Sequence, residues 1–365
     1  MNKEIKVLHI ISSLGQGGAE RQLVELVKHN KNHAICQLIS GGVYEQELKK
    51  EKKIIFDLKL KKSIFDIFGF YRLYKIIKYY KPDIINTWMY HSCLLEVVLR
   101  KITFNNIPLV WGLRCSNMKT SYYSRILKLV INGCKYFSNT PNIIINNSVA
   151  GMNFHKSIGF KNNNIIIFNG IDTKKFSLNN KFRNEFRNKF NIAKDAKVLL
   201  CVGRVDPMKD HDTLLEAFIK IKEDFSTVVL ILAGLGTENI NKTNRLITLG
   251  SCNDIDHVYS ACDIIISSSA FGEGFSNSLA EGMSSSLIPI ATDVGDAKHI
   301  VGHTGKIINP KNVLELYNAI KDLLELDEQN FSTNKILAKN RIHNNFNQLK
   351  MLNSYDEVYN KLLEE

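Results

Sequence analysis

The sequence lacks the features that mark disordered, membrane-spanning or secreted chains. Only six of its 365 residues are proline and 44% are hydrophobic, which excludes a linker-like or collagen-like chain. No stretch approaches the roughly 20 unbroken apolar residues of a membrane span. The apolar run at residues 7–11 is short and leads into glycines, so it makes a poor signal peptide. We therefore expect a folded cytoplasmic protein, and its length predicts two domains.

The cysteines also give no indication of a metal site or a disulfide framework. The seven cysteines are odd in number, are scattered and include no C-x-x-C pair, so no zinc or redox motif is indicated. We expect most of them to be small buried hydrophobes.

Negative charge is scarce in one half of the chain. Residues 1–176 contain 27 Lys and Arg against 11 Asp and Glu, whereas the remainder contains 21 against 25. A basic half of a chain can bind nucleic acid, an anionic membrane or a phosphorylated substrate. No recognition-helix or base-stacking motif accompanies the charge, so nucleic acid is not expected.

Lysines at residues 49–62 and 75–81 are interleaved with aromatic residues. This pattern predicts docking on an anionic membrane surface, and the alternative is an ordinary amphipathic helix whose aromatics are core. The aromatics are Phe65, Phe68, Phe70, Tyr71, Tyr74, Tyr79 and Tyr80.

Short β-type runs alternate with helical stretches along the whole chain. In the first half the predicted strands are Ile5 to Ser12, His33 to Ile39, Ile54 to Leu58, Ile84 to Thr87, Pro108 to Trp111, Tyr136 to Asn139 and Ile165 to Phe168. After a turn at Asn169 and Gly170 the same rhythm restarts. The predicted strands of the second half are Val198 to Gly203, Val228 to Ala233, Ile264 to Ser267, Leu287 to Thr292 and Gly305 to Ile308. It predicts two doubly wound α/β domains in tandem, with chemistry in a cleft at the carboxyl ends of their strands.

A glycine-rich turn joins the first predicted strand to a helix. Gly17 and Gly18 allow backbone N–H groups to approach an anion at the helix start, which suits a phosphate. The spacing is not that of the dinucleotide motif G-x-G-x-x-G, which disfavours NAD. A tight structural connection is the alternative.

The second half supplies paired cations and paired carboxylates. Arg204 and Lys209 follow a predicted strand, and two permanent cations there suit a diphosphate; a surface pair beside a helix capped by Asp210 is the alternative. Glu273 lies in a glycine-rich turn and Glu281 about two turns into the next helix. Carboxylates accept hydrogen bonds from hydroxyl groups, so the ligand is expected to be both phosphorylated and polyhydroxylated, as a nucleotide sugar is.

These ordered motifs resemble the retaining glycosyltransferases of family 4, which have the GT-B fold of two Rossmann-like domains facing each other across a cleft. The resemblance rests on residues 17–21, 169–172, Gly203 with Arg204 and Lys209, residues 273–281 and residues 290–295. It implies that Arg204 and Lys209 hold the donor diphosphate, that Glu273 contacts the donor sugar and that Glu281 binds the ribose. It also implies that the Gly17 and Gly18 loop closes over the phosphates. The donor site implied by the resemblance also includes Gly274, Phe275 and Ser276.

The sequence departs from the family in the region expected to hold the acceptor. Arg114 stands where relatives often carry a histidine, and His91 is a second acceptor-side candidate, with a structural role as its alternative. The implied domains are 1–170 for the acceptor, 171–345 for the nucleotide sugar, and 346–365 as a last helix packing back on the first domain.

The resemblance implies sugar transfer with retention, of hexosyltransferase type, from a nucleotide sugar to a glycan or lipid-linked acceptor in bacterial surface polysaccharide synthesis. Lipopolysaccharide O-antigen and capsule are the products implied. No cofactor or metal is expected. An epimerase of the same fold, or a catalytically silent basic binding protein, remains open.

Overall fold

The computed structural model describes residues 5–15, 17–61, 66–117, 122, 124–161 and 163–364. The chain forms two compact units. The first comprises Met1–Asn169 together with Met351–Glu365, and the second comprises Gly170–Lys350.

The first unit is built on a seven-stranded parallel sheet with the order β3-β2-β1-β4-β5-β6-β7. Its strands are β1 (Val7–Ile11), β2 (His33–Gln37), β3 (Ile54–Asp57), β4 (Ile84–Trp88), β5 (Leu109–Leu113), β6 (Ile143–Asn146) and β7 (Asn164–Ile166). Its helices are α1 (Gly18–His29), α2 (Val43–Lys50), α3 (Ile67–Tyr80), α4 (Met89–Thr103), α5 (Arg125–Tyr136) and α6 (Val149–Ser157), and most of the last helix of the chain joins them.

The second unit repeats the plan with a six-stranded parallel sheet in the order β10-β9-β8-β11-β12-β13. Its strands are β8 (Val198–Val202), β9 (Val229–Ala233), β10 (Leu246–Thr248), β11 (Ile264–Ser267), β12 (Ile288–Thr292) and β13 (Lys306–Ile308). The helices are α7 (Asn180–Lys189), α8 (His211–Asp224), α9 (Ile255–Ala261), α10 (Asn277–Ser284), α11 (Ala297–Val301), α12 (Val313–Leu324), α13 (Glu328–Asn345) and α14 (Gln348–Glu364), which enters the first unit at residue 351.

Helices cover both faces of each sheet, so the central strands are buried and mostly apolar. All five residues of β1 are buried, and those of β4, β5 and β12 are buried as well. Near-continuous apolar runs of this kind are typical of parallel sheets. The prediction of two Rossmann-like α/β domains is therefore confirmed, and in each sheet the strand order reverses next to the first strand of the unit, at β1 with β4 and at β8 with β11.

One predicted strand is wrong. Residues 136–139 were expected to be a strand, but Tyr136 ends helix α5 and the strand β6 begins at Ile143. Helix α5 continues this far because Val130, Ile131 and Cys134 form one buried helical face.

Some elements of the second unit were not predicted. The prediction missed β10 and the eighteen-residue helix α13. The aromatic Phe65 of the predicted membrane-docking pattern lies outside the described residues. Among the described residues, no helix is long and apolar enough to span a bilayer.

Candidate functional site

The candidate donor site lies in the second unit, where the strand order reverses. Strands β8 and β11 are hydrogen-bonded neighbours, and each continues beyond its carboxyl end into a loop that carries predicted site residues. Arg204 and Lys209 follow β8, and Glu273 follows β11. Ligands of doubly wound folds bind outside the carboxyl ends of strands at such a reversal. The topology therefore brings the predicted cations and the first predicted carboxylate to one place.

Lys209 and Glu273 form an ion pair in which Nζ lies 2.5 Å from Oε1. Both side chains are largely buried, with 16% and 11% of their surface exposed. The Ser269 hydroxyl donates a further hydrogen bond of 2.8 Å to the same carboxylate oxygen.

The ion pair sets the charge of Glu273. Burial by itself raises the pKa of this carboxyl group, but the adjacent Lys209 ammonium and the Ser269 hydroxyl oppose that effect and prevail. The pKa of Glu273 consequently lies below its usual value. An ionised carboxylate only accepts hydrogen bonds, so Glu273 is suited to bind hydroxyl groups at neutral pH.

Asp206 fixes the loop after β8. Its carboxylate accepts from Arg204 Nε and Nη2 at 3.1 and 3.0 Å and from the Met208 backbone N–H at 2.9 Å. Its backbone carbonyl accepts from Lys209 N at 2.8 Å. About half of the Arg204 side chain remains exposed, so the guanidinium is held at the surface of the site.

Backbone contacts join the two loops to each other. Ala270 N donates to the Met208 carbonyl at 2.8 Å, and the Ser268 hydroxyl donates to the Lys209 carbonyl at 2.9 Å. These bonds fix the positions from which the Lys209 and Glu273 side chains project. A pre-formed constellation of this kind suits a binding site.

A glycine allows the neighbouring segment to approach the Glu273 loop. Gly295 has a φ of +62°, and a Cβ atom there would lie 2.4 Å from the Glu273 carbonyl oxygen. The following residue, Asp296, donates its N–H to the Gly274 carbonyl at 3.0 Å. The predicted motif at residues 290–295 therefore supports the loop rather than supplying a side chain.

Helix α10 begins at the end of this loop. Phe275 is buried against Phe346, and Ser276 is the N-cap residue, although its buried hydroxyl makes no hydrogen bond within the described residues. Glu281 is 2% exposed, and the Tyr259 hydroxyl donates to its Oε2 at 3.0 Å. The sequence missed Tyr259, whose position in α9 gives no signal of this contact.

His211 is a second residue that the sequence did not identify. It is the first residue of α8, is 6% exposed and bonds to the Gly203 backbone. Burial and the nearby Lys209 charge lower its pKa. Asp210 does occupy the N-cap position, but its carboxylate accepts from the Thr213 hydroxyl instead of a backbone N–H.

In the first unit, Gly17 and Gly18 lie at the start of α1 after β1. Gly17 is the N-cap residue, and a Cβ atom there would lie 2.0 Å from a carboxylate oxygen of Glu20. The helix start thus already has an acidic side chain over it. A phosphate can approach these N–H groups only if Glu20 moves, because like charges repel, and the phosphate role stays a prediction.

His91 and Arg114 have different surroundings in the first unit. His91 is half-buried in the first turn of α4, and burial lowers its pKa. Arg114 is 8% exposed, and its guanidinium lies 4.4 Å from the Trp88 ring. It donates to Asn169 Oδ1 at 2.8 Å and also to the Tyr355 hydroxyl. Arg114 therefore packs α14 onto the sheet, and an acceptor-side role for either residue stays a prediction.

A buried polar network continues from Arg114 along α14. The Tyr359 hydroxyl donates to Asn86 Oδ1 at 2.7 Å, and Trp88 Nε1 donates to His9 Nδ1 at 3.1 Å. Because the indole only donates, the proton of neutral His9 lies on Nε2, which lies 3.1 Å from His33 Nδ1. Within the residues that the structure describes, no group of three His, Cys, Asp or Glu side chains is arranged to hold a metal ion.

Two family models match the chain. The model described as "Glycosyltransferase Family 4" matches residues 16–175, and "Glycosyl transferases group 1" matches residues 182–341. The chain belongs to the family 4 glycosyltransferases. The two matches cover most of both compact units, so the family assignment includes the candidate donor site.

Curated relatives agree with this assignment. An uncharacterised glycosyltransferase of Methanocaldococcus jannaschii is 28% identical over 274 residues, which is 68% of this chain and 65% of the relative. The N-acetylgalactosamine-N,N'-diacetylbacillosaminyl-diphospho-undecaprenol 4-alpha-N-acetylgalactosaminyltransferase of Campylobacter jejuni is 29% identical over 147 residues, which is 38% of this chain and 40% of the relative. The matches span less than two thirds of either relative's length.

Solved structures share the fold of the whole chain. The crystal structure of Anabaena Alr3699/HepE in complex with UDP has a TM-score of 0.83 and 20% identity, covering 98% of this chain and all of the other. Sucrose-phosphate synthase from Thermosynechococcus elongatus has a TM-score of 0.81 and 17% identity, covering 98% and 99% of the two chains. At these identities the likeness establishes the GT-B fold alone.

Proposed function

We propose that this protein transfers a hexosyl group from a nucleoside diphosphate sugar to a hydroxyl group of a glycan or lipid-linked acceptor, with retention of anomeric configuration. The observation that carries the proposal is the Lys209 and Glu273 ion pair at the strand-order reversal of the second unit. A fixed cation beside a fixed carboxylate matches a ligand that carries phosphate and hydroxyl groups on neighbouring atoms.

Arg204 and Lys209 are proposed to bind the diphosphate. Arg204 is exposed and oriented by Asp206, and Lys209 is held by the backbone contacts of its loop. The start of α10 adds N–H groups and the Ser276 hydroxyl, which suit phosphate oxygens. Charge-assisted hydrogen bonds of this kind are roughly twice as strong as neutral ones.

The two glutamates are proposed to bind the two sugars of the donor. Glu273 is kept ionised by Lys209 and accepts from hydroxyl groups of the transferred sugar. Glu281 lies in the helix that follows, is oriented by the Tyr259 hydroxyl and is proposed to accept from the ribose. Gly274 and Phe275 hold the loop between them through the Asp296 and Phe346 contacts.

In the proposed reaction the bond between the anomeric carbon and the diphosphate oxygen breaks while the acceptor oxygen bonds to the same face of that carbon. The acceptor proton passes to the departing phosphate. Arg204 and Lys209 stabilise the negative charge that grows on the diphosphate, and pre-positioned charges of this kind commonly contribute a factor of roughly 10² to 10³ in rate. We propose that these two cations make a divalent metal unnecessary.

The proposed acceptor is a lipid-linked or free glycan of bacterial surface polysaccharide synthesis, such as lipopolysaccharide O-antigen or capsule. Support comes from the name of the Campylobacter jejuni relative, whose acceptor is a diphospho-undecaprenol glycan. We propose a cytoplasmic protein that associates peripherally with the inner face of the membrane. The basic charge of the first half supports this location.

The test measures nucleoside diphosphate release from a panel of nucleotide sugars with candidate lipid-linked acceptors, in the presence of EDTA. We expect Glu273→Gln and Arg204→Ala to lower the rate by at least about a hundredfold. Lys306→Ala, which removes an exposed ion pair in the same unit, should leave it unchanged. The product's anomeric configuration is read by NMR. Inversion would refute retention, and release of an epimerised sugar would favour the epimerase alternative.

A further inference from the structure

A second candidate site lies on the first unit, between helices α3 and α4. The groove there has a volume of about 850 Å³. Its walls are apolar side chains of both helices, including Ile67, Tyr71, Val98 and Ile102, and Lys78 lies on its edge. Nothing in the proposed transfer reaction uses these residues.

The groove combines two helical stripes that the first unit leaves uncovered. Residues 67, 71, 74 and 78 recur at helical spacing on α3, and residues 94, 98 and 102 do so on α4. Stripes of this kind normally pack against another element. Here Ile67 is 78% exposed and Ile102 is 65% exposed.

The apolar surface continues onto α5. Ile126, Leu129 and Tyr136 are all more than half exposed and share one face of this helix with Gly133. A Cβ atom at Gly133 would lie 2.9 Å from Leu94 Cδ1, so α5 packs directly on a residue that lines the groove. The exposed apolar surface therefore extends across three helices.

The charge around this surface is mainly positive. The carboxylate of Asp66, the N-cap residue of α3 beside Ile67, is paired with Arg72. Helices α3, α4 and α5 contain eight Lys and Arg residues and a single acidic residue, Glu96, which is buried and paired with Arg100. Lys75 Nζ lies 4.6 Å from the centre of the Tyr71 ring, and Lys78 Nζ lies 5.7 Å from that of Tyr74. Lysine stems that follow aromatic faces keep their charges at the edge of an apolar surface.

We propose that this surface docks on a bilayer containing anionic lipid, with a hydrocarbon chain of one lipid entering the groove. An apolar centre with a predominantly basic surround matches the acyl region and the negative headgroups of such a bilayer. A second copy of the chain would instead bring two basic surrounds together, which costs free energy. The inference deepens the proposed function, since a lipid-linked acceptor resides in a bilayer, and rests on it only for that link.

The aromatic residues of the sequence pattern divide between the two alternatives, core packing and an exposed surface. Phe70, Tyr74 and Tyr80 pack partly against the core of the first unit, whereas Phe68, Tyr71 and Tyr79 are exposed. The lysines and aromatic residues noted in the sequence therefore account only for the wall of the groove that α3 forms. The apolar residues of α4 and α5 complete the surface.

The test is sedimentation of the full chain with vesicles of phosphatidylcholine, alone or with about a third phosphatidylglycerol, which gives a negative surface. We expect binding to the anionic vesicles only, weakened by salt. Lys75→Glu with Lys78→Glu should lower partitioning at least about tenfold, and Ile102→Asp should lower it comparably. Ile219→Asp and Lys220→Glu on α8 of the second unit alter exposed residues of the same types and should not change it.

Insertion into the bilayer is tested separately by fluorescence. A tryptophan introduced by Ile102→Trp should shift its emission to shorter wavelength with anionic vesicles, and one introduced by Ile219→Trp should not. Equal binding of groove variants and controls would overturn the proposal, as would a groove-dependent dimer in ultracentrifugation without lipid binding. Circular dichroism verifies the fold of each variant. Nucleotide-sugar binding, measured on the same variants without lipid, separates failure of docking from failure of the donor site.

Discussion

Removing the positive partner of the buried ion pair tests the electrostatic account of the donor site. Lys209→Met keeps most of the length of the side chain but removes the ammonium group from the Glu273 carboxylate, to which the Ser269 hydroxyl still donates. Breaking a buried pair by removing one member typically costs about 3 to 5 kcal/mol. We expect a loss of about 3 kcal/mol in the free energy of unfolding at neutral pH, because both side chains keep some exposed surface.

The loss should depend on pH in a definite direction. In the wild type the pKa of Glu273 lies below its usual value, so this group stabilises the fold above the unfolded-state pKa. In Lys209→Met we expect burial to outweigh the remaining effects of Ser269 and Arg204, so that the folded-state pKa of Glu273 rises above the unfolded-state value. Ionisation of Glu273 then destabilises the fold as pH rises. One pKa unit corresponds to 1.36 kcal/mol, so a loss of about 3 kcal/mol is a difference of about two units between the proteins.

The assay is urea unfolding followed by circular dichroism at pH 7.5 and pH 4.5. The difference in free energy of unfolding between wild type and Lys209→Met should be smaller at pH 4.5 than at pH 7.5. Adding Glu273→Gln to the variant should recover part of the stability at pH 7.5. Lys306→Met breaks the exposed pair with Asp322 and should cost less than about 1 kcal/mol. An equal difference in free energy of unfolding at both pH values would refute the reasoning, as would a double variant no more stable than Lys209→Met.

Three further perturbations test the packing around the sites. Gly295→Ala, with positive φ and a carbonyl oxygen 2.4 Å from the new Cβ, should unfold at a urea concentration well below that of Gly41→Ala, which has a φ of +92° but open space around it; equal effects would contradict the close approach. Burial lowers the pKa of His9 well below its usual value and that of His33 to about 3, so the folded chain binds fewer protons than the unfolded chain below pH 6.5. Stability should therefore fall between pH 6.5 and pH 4 by up to about 1.4 kcal/mol per pH unit for each histidine, and a flat urea midpoint over that range would contradict it. Tyr359→Phe removes the buried hydrogen bond from the last helix to Asn86 and should lower the free energy of unfolding by about 1 to 3 kcal/mol. An unchanged urea midpoint would contradict a stabilising role for this bond.

The alternation of apolar runs predicted most of both sheets, because parallel strands buried on two faces leave a clear signal in sequence. The predicted strand at residues 264–267 has the bounds of β11 itself. The prediction of a strand at residues 136–139 was wrong because aromatic residues at the end of an amphipathic helix resemble a short strand in sequence. Helix α13 was missed because few of its residues are buried, namely Phe331, Ala338 and Ile342, and its periodicity is correspondingly weak.

The sequence could place the candidate donor residues on loops but could not describe their partners. Arg204, Lys209 and Glu273 follow predicted strands, and the strand order then makes two of the loops neighbours. The pairing of Lys209 with Glu273 spans 64 positions in the chain, and local pattern carries no information on it.

Arg114 shows the same limitation in the first unit. Its partner Tyr355 is 241 positions away in the last helix, so the buried packing of its guanidinium was not visible from the loop in which it lies. The left-handed conformation of Gly295 likewise follows from the segment packed against it.

The central claim is that the second unit binds a nucleoside diphosphate sugar through Arg204, Lys209 and Glu273. The most direct test is the shift in melting temperature of the purified chain with UDP-, GDP-, ADP- and dTDP-sugars in EDTA. Ligand at 100 times its dissociation constant stabilises by roughly 2.7 kcal/mol, which such an assay resolves. We predict a shift with one class of nucleotide sugar that is lost in Arg204→Ala and Lys209→Ala. A folded wild-type chain that shows no shift with any of them would contradict the account.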